Sequence, residues 1–155
     1  RCALKERWIR LLATGFGSGL SPLAPGTAGT LAGIPLYWVF SVIAWPVRLI
    51  TILAFTCLAW YVSDEAERSY GKKDAPCIVI DEMAGLQWAL FGIDPTALHL
   101  ALGFALFRLF DIVKPFPARR FQDRLAGGLG VVADDLAAGV YANLALQALV
   151  LGLGV

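Results

Sequence analysis

Residues 83–107, MAGLQWALFGIDPTALHLALGFALF, decide how this chain folds, and among them only Asp94 is charged. As one unbroken helix they would carry that acid in the middle of an apolar span. As a hairpin they turn at Asp94-Pro95-Thr96. Asp-Pro is a turn signal, and the residue before a proline is biased away from helix. The hairpin is the preferred reading. It predicts one helix from near Ile78 to the turn and another from the turn to near Val113. Each is then roughly 16–18 residues, or about 24–27 Å.

The rest of the chain shows the same alternation. No charge falls between Arg10 and Arg48, within 49–63, or after Asp135. Residues 15–30, GFGSGLSPLAPGTAGT, hold five Gly and two Pro and read as a loop or re-entrant segment. A helix over 27–45 should come next, with Thr27 or Thr30 as its N-cap and Trp45-Pro46 as its stop. Residues 49–63 form another helix, after a tight turn at Ala44-Trp45-Pro46-Val47. A last helix starts after the Gly-rich stretch Gly127-Gly128-Leu129-Gly130 and runs to the C-terminus. These helices are short for a hydrocarbon core of about 30 Å, so tilt or local thinning is expected. The expected fold is all-α: a small polytopic helical membrane protein of about five short helices with a Gly/Pro-rich N-terminal loop. Residues 1–155 form a single integral-membrane domain.

Composition supports this class. Hydrophobic residues make up 58% of the 155. Counting Gly and leaving out Tyr gives about 66%, against roughly 45–50% in soluble domains. Charged residues are 16%, against roughly 25%, and the mean hydropathy is +0.68. One small core cannot hide that much apolar surface. A formal net charge of +1 argues against a nucleic-acid partner. If both helix pairs are hairpins, 12 of the 13 Lys and Arg residues lie on one side and Arg48 on the other. The positive-inside rule makes the basic side cytoplasmic. The first residue is Arg1, so the chain reads as a fragment. The stretch after its basic start is too rich in Gly and Pro for a signal-peptide core.

With that topology the carboxylates converge. Asp81 and Glu82 open the third helix, Asp111 lies near the end of the fourth, and Asp134 and Asp135 begin the fifth. Five acids beside apolar runs repel one another and are costly to desolvate. A hard cation resolves both problems. Mg²⁺ takes carboxylate oxygens and completes its shell with water and substrate phosphate, which makes Asp81, Glu82, Asp134 and Asp135 candidate metal ligands. The bland alternative is pairing with nearby cations, since Arg108, Asp111 and Lys114 are spaced for contacts within one helix. Arg108 and Lys114 beside these acids suit a phosphate ligand. Pro115-Phe116-Pro117 fixes the chain after Lys114. Arg119 and Arg120 read as plain interfacial charge. The turn Ser21–Thr30 opens a helix and exposes backbone N–H groups to an anion. Gly29 and Gly33 could equally serve helix packing.

Several chemistries are excluded. Cys2, Cys57 and Cys77 form no CxxC pair, and none has the downstream arginine of a cysteine phosphatase: the sixth residues on are Trp8, Ser63 and Met83. The single histidine, His99, cannot supply a two-histidine phosphatase site and reads as a packing residue. No DxDx(T/V) or DGxxAR pattern is present.

Three blocks, GFGSGLSPLAPGTAGTLAGIP at 15–35, IVIDEMAG at 78–85 and FRLFDIVKPFPARRFQDRLAGGLGVVADDLAAG at 107–139, resemble the bacterial phosphatidylglycerophosphatase A family in content, order and spacing. The resemblance covers nearly the whole chain. Thr30 stands where the family commonly has Ser, and Ala133 occupies a variable position. The resemblance implies a Mg²⁺-dependent, multi-pass inner-membrane enzyme with its site facing the cytoplasm. It would remove the terminal phosphate of phosphatidylglycerophosphate to give phosphatidylglycerol. On that basis Asp81, Asp111, Lys114 and Asp135 are the candidate catalytic residues. Ser21, Thr27, Thr30, Arg108 and Lys114 are the candidate phosphate ligands. Either water attacks phosphorus directly or a carboxylate such as Asp111 forms an acyl-phosphate; the sequence does not choose. Nor does it give the oligomeric state. A cation transporter or channel is the rival reading, but it expects acids spread through membrane depth rather than gathered at one side.

Overall fold

The turn at Asp94-Pro95-Thr96 forms, and His99 locks it. In the computed structural model, which describes residues 3–116, 125 and 127–153, the Thr96 hydroxyl accepts the His99 backbone N–H at 3.1 Å and caps the next helix. His99 Nδ1 lies 2.9 Å from the Asp94 carbonyl oxygen. The described elements are α1 (Ala3–Ala13), a 3-10 turn (Ser18–Leu20), α2 (Pro25–Ser41), α3 (Trp45–Tyr70), α4 (Ile80–Ala89), α5 (Ala97–Val113) and α6 (Gly128–Leu153). No strand occurs among the described residues. The fold is all-α, as expected.

The boundaries differ from the sequence reading in instructive ways. Neither Thr27 nor Thr30 caps α2. The helix starts earlier, with Pro25 in its first turn, where the missing N–H costs nothing. Trp45-Pro46 does not stop α2; it begins α3 for the same reason. Helix α3 does not end at residue 63. Its charged continuation stays helical because Arg68 pairs with Asp64 at 2.7 Å and Glu65 at 3.2 Å along one face. It stops at Gly71, which takes the left-handed φ of +64°. Helix α4 ends after ten residues rather than running to Asp94, and Gly92 turns the chain at φ +73°. The basic N-terminus is a further helix, α1, which lays Ile9 and Ala13 on Ala59, Val62 and Ala66 of α3.

Helix α4 is the centre of the bundle. It packs against α2, α3, α5 and α6, and eight of its ten residues are buried. Glycines make the close approaches. A Cβ on Gly85 would lie 2.6 Å from the Phe107 ring and 2.8 Å from the Asp135 carbonyl oxygen. A Cβ on Gly139 would strike the Gly85 carbonyl. The bland reading of Gly29 and Gly33 is the observed one: they meet Val79, Met83 and Leu86. The released carbonyls at the end of α4 find donors from other helices. Asn143 Nδ2 bonds the Ala89 and Phe91 oxygens at 3.0 and 2.8 Å, and Arg48 bonds that of Leu90 at 3.3 Å. The Arg48 cation there also complements the negative end of the α4 dipole.

Helices α3 and α6 are long and apolar enough to cross a membrane. At 26 residues each they measure about 39 Å, some 9 Å more than a hydrocarbon core. The expectation that every helix is short is therefore corrected for these two. The C-terminal part of α3 meets the start of α6, where Asp64 Oδ1 accepts the Gly128 N–H at 3.3 Å. The bundle leaves Trp38, Val42, Trp45, Ile50 and Leu151 exposed, an apolar exterior suited to lipid.

The packing predicts that Gly139→Val destabilises the folded protein by about 2 kcal/mol through overpacking of α4 against α6. Gly152→Ala, with open space around it, should be neutral. Unfolding of the detergent-solubilised variants by SDS titration measures both. Equal stability of Gly139→Val and the parent would contradict the packing described.

Candidate active site

Asp81 and Glu82 stand in the first turn of α4, where the helix dipole favours negative charge. Their helix is enclosed by four others, so the acids enter the bundle with it. Asp81 is 4% exposed, Asp134 3% and Asp135 4%. Asp111 joins them from the last turn of α5, and Asp134 and Asp135 from the second turn of α6, which starts at Gly128. Asp135 lies within electrostatic reach of Asp81, Glu82, Asp111 and Asp134. The five predicted carboxylates are thus brought to one end of the bundle.

Two cations meet them. Arg108 Nη1 lies 2.5 Å from Asp111 Oδ2 and 3.4 Å from Glu82 Oε1. The contact within α5 is the one its spacing allows. Lys114 instead reaches across to α6 and bonds Asp134. Lys114 caps α5 in the left-handed region at φ +47°, and its N–H donates to the Phe110 oxygen at 2.8 Å. That conformation is costly for a residue with a Cβ, and Pro115 comes directly after it. The backbone therefore aims this side chain at Asp134. Burial alone would lower the Lys114 pKa. The bond to Asp134 and the fields of Asp134, Asp135 and Asp111 outweigh it and hold the group above the usual lysine value. Lys114 is a cation at neutral pH.

Pairing does not exhaust the carboxylates. Asp81 Oδ1 and Glu82 Oε2 are buried with no hydrogen-bond partner among the described residues, and the Arg108 Nε is a buried donor in the same position. Such groups carry a desolvation cost without return. Among the described residues, no three His, Cys, Asp or Glu side chains converge into a ready metal cage. The donor chemistry nevertheless fits Mg²⁺. That ion commonly takes one or two carboxylates and fills its remaining positions with water and phosphate, and the two orphaned oxygens are hard donors of that kind.

The predicted phosphate ligands divide. Gly26, in the first turn of α2, sits where a Cβ would strike Glu82 Oε1 and lie 3.1 Å from both Arg108 Nη atoms. The N-terminus of α2 therefore faces the Arg108–Glu82 pair. Ser21 and Thr27 flank that turn and are half-buried. Thr30 is fully buried and donates its hydroxyl to the Gly26 carbonyl at 2.8 Å. Gly15 and Gly19 serve packing on Cys77, Val79 and Met83. Arg119 and Arg120 lie outside the described residues.

Sequence reasoning missed two acids. Glu67 accepts the Asp74 N–H at 2.6 Å, and Asp74, at φ +50°, lies within electrostatic reach of Asp81, Glu82 and Asp134. The signal available was a non-glycine turn residue, Lys72-Lys73-Asp74-Ala75-Pro76, just ahead of the Asp81-Glu82 pair.

Fold and site together define a class: an all-helical protein with two candidate membrane spans and a buried acidic centre, held by two cations, at one end of its bundle. The chain belongs to the phosphatidylglycerophosphatase A family, whose sequence profile matches residues 11–150. It is 36% identical over 141 residues to phosphatidylglycerophosphatase A of Escherichia coli K12, covering 90% of this chain and 81% of that one. It is 40% identical over 144 residues to phosphatidylglycerophosphatase A of Haemophilus influenzae, covering 91% and 88%. A Bacteroides thetaiotaomicron protein with the provisional name phosphatidylinositol-3-phosphatase is 40% identical over 140 residues, covering 84% and 86%. No solved structure matches the chain.

Lys114→Met should leave Asp134 buried without its cation and destabilise the protein by about 3 kcal/mol. Adding Asp134→Asn should recover most of that loss. A double-mutant cycle on unfolding free energies measures the coupling. Additive effects of the two substitutions would contradict a direct pair.

Proposed function

We propose that this protein hydrolyses the terminal phosphate of phosphatidylglycerophosphate, yielding phosphatidylglycerol and inorganic phosphate. It does so with Mg²⁺ at the cytoplasmic face of a bacterial inner membrane that it crosses more than once. Family membership supports the substrate. One juxtaposition supports the chemistry: the α2 N-terminus, the Arg108 guanidinium and the oxygens of Asp81 and Glu82 that lack a partner among the described residues share one end of the bundle.

Asp81 and Glu82 would hold Mg²⁺, with Asp134 and Asp135 as the further oxygen donors. The ion, when bound, supplies Lewis-acid neutralisation of phosphoryl oxygens. The chain's own residues do the rest. Arg108 is held between Glu82 and Asp111, so its planar fork is ordered before substrate arrives. Its N–H groups and the first-turn N–H groups of α2 orient the phosphate, with Ser21 and Thr27 beside that turn. Lys114 stays protonated and keeps Asp134 in place. Asp111 and Asp135, both buried, would act on the reacting group in surroundings that exclude bulk water. The lipid tails remain in the bilayer while the head group meets the acids at its surface. The gathering of acids at one end, rather than along the spans, favours this reading over cation transport.

Phosphate release by the purified protein in detergent tests the proposal. Phosphatidylglycerophosphate should be hydrolysed with Mg²⁺, not with EDTA, and again when Mg²⁺ is restored. Asp81→Asn should lower the rate on the order of a hundredfold or more without loss of helix content. Phosphatidylinositol 3-phosphate, assayed in parallel, should be the poorer substrate. A folded protein that releases no phosphate from either lipid, or that works equally well in EDTA, would refute it.

A further inference from the structure

A second charged cavity lies away from the carboxylate centre. It is a cleft of about 760 Å³ between the C-terminal part of α3 and the start of α6, with the Gly71–Lys73 turn at its rim. Its size is that of a small-molecule site. Both helices that border it are the candidate membrane spans, and the cleft lies at the end of α3 that carries its charged residues.

Its walls carry charge in an asymmetric way. Asp64 and Glu67 contribute two carboxylates, but both are engaged. Asp64 pairs with Arg68 at 2.7 Å and takes the Gly128 N–H at 3.3 Å. Glu67 is 8% exposed and accepts the Asp74 N–H. The cations sit further out. Lys72 and Lys73 are exposed at the rim, and Lys73 Nζ lies 3.4 Å from the Leu125 carbonyl oxygen. The apolar wall is Trp60, Tyr61 and Leu129; the two aromatic rings are about half exposed. Amphipathic rings at this level mark the head-group region of a bilayer. Basic pockets between spanning helices are suited to anionic head groups.

We propose that this cleft binds one anionic glycerophospholipid. Its phosphodiester lies against Lys72 and Lys73, and its glycerol and upper acyl carbons lie along Trp60, Tyr61 and Leu129. A soluble anion would gain nothing from the apolar wall. A zwitterionic lipid would bring its own cation to the two lysines. Among the described residues the cleft shares no lining residue with the carboxylate centre, so the lipid it holds is distinct from one that meets the acids. The inference concerns binding alone and does not depend on the phosphatase reading.

Native mass spectrometry of the detergent-solubilised full chain tests it, with phosphatidylglycerol, phosphatidylcholine and inorganic phosphate as probes. Phosphatidylglycerol should be retained as a single adduct, with phosphatidylcholine at least tenfold weaker. Millimolar inorganic phosphate should not displace it. Lys72→Gln with Lys73→Gln should weaken retention about tenfold or more, and Leu129→Trp, which fills the cleft, should do the same with the lysines intact. Arg7→Gln, a cation removed from the cleft, is the control and should change nothing. Retention that survives both cleft variants, equal retention of the zwitterionic lipid, or displacement by phosphate alone would overturn the proposal.

Discussion

Burying several carboxylates in one small apolar bundle is the constraint on which this structure turns. Asp81, Glu82, Asp111, Asp134 and Asp135 meet two cations, Arg108 and Lys114, which between them pair with Glu82, Asp111 and Asp134; among the described residues Asp81 and Asp135 are left without a cationic partner. A charge moved out of water is costly unless it is paired and hydrogen-bonded. The bundle meets part of that cost by placing Asp81 and Glu82 at the positive end of α4. Arg108 serves two acids at once, and a left-handed cap aims Lys114 at Asp134. The remaining cost is concentrated in the oxygens of Asp81 and Glu82 that have no partner among the described residues. A bundle evolved for stability alone would replace them with apolar side chains. Their retention is the physical argument for a cationic or phosphate-bearing ligand.

The same constraint explains the packing. Acids from α4, α5 and α6 can share one end only if those helices approach closely, which is why Gly85, Gly103 and Gly139 line their contacts. The opposite end of α4 is closed by Arg48 and Asn143, donors reaching in from α3 and α6. The centre of the bundle is thereby fixed at both ends by polar contacts, with an apolar middle. About six residues, or about 9 Å, separate the start of α6 from Asp134. The acids therefore lie near one end of both candidate spans, α3 and α6.

Much of this was legible in the sequence, and the parts that were not have identifiable causes. The Asp94-Pro95-Thr96 turn was readable because proline restricts its predecessor, and the packing role of His99 came from its apolar surroundings. The convergence of the carboxylates came from the hairpins. Helix lengths did not. The onset of charge at Asp64 predicts a helix end at residue 63, yet Asp64, Glu65 and Arg68 stabilise its continuation by pairing along one face. Helix α4 was overestimated because capping of its carbonyls by Arg48 and Asn143 is a tertiary fact. Glycine and proline density alone points to phosphate contact along the whole Ser21–Thr30 loop. The structure divides it into packing glycines and the one turn, at Gly26, that meets Arg108 and Glu82. Asp74 and Glu67 were overlooked because their relation to the acidic pair depends on a left-handed turn that spacing does not encode.

The central claim is that the orphaned carboxylates bind a divalent cation, and binding measured without turnover tests it most directly. Mn²⁺ titrated into the purified protein in detergent, monitored by EPR with Mg²⁺ as competitor, reports occupancy independently of substrate. The account predicts saturable Mn²⁺ binding that Mg²⁺ displaces, weakened at least tenfold in Asp81→Asn and in Glu82→Gln while both variants keep their helix content. Saturable binding that is indifferent to both substitutions, or no binding by the folded protein, would contradict it.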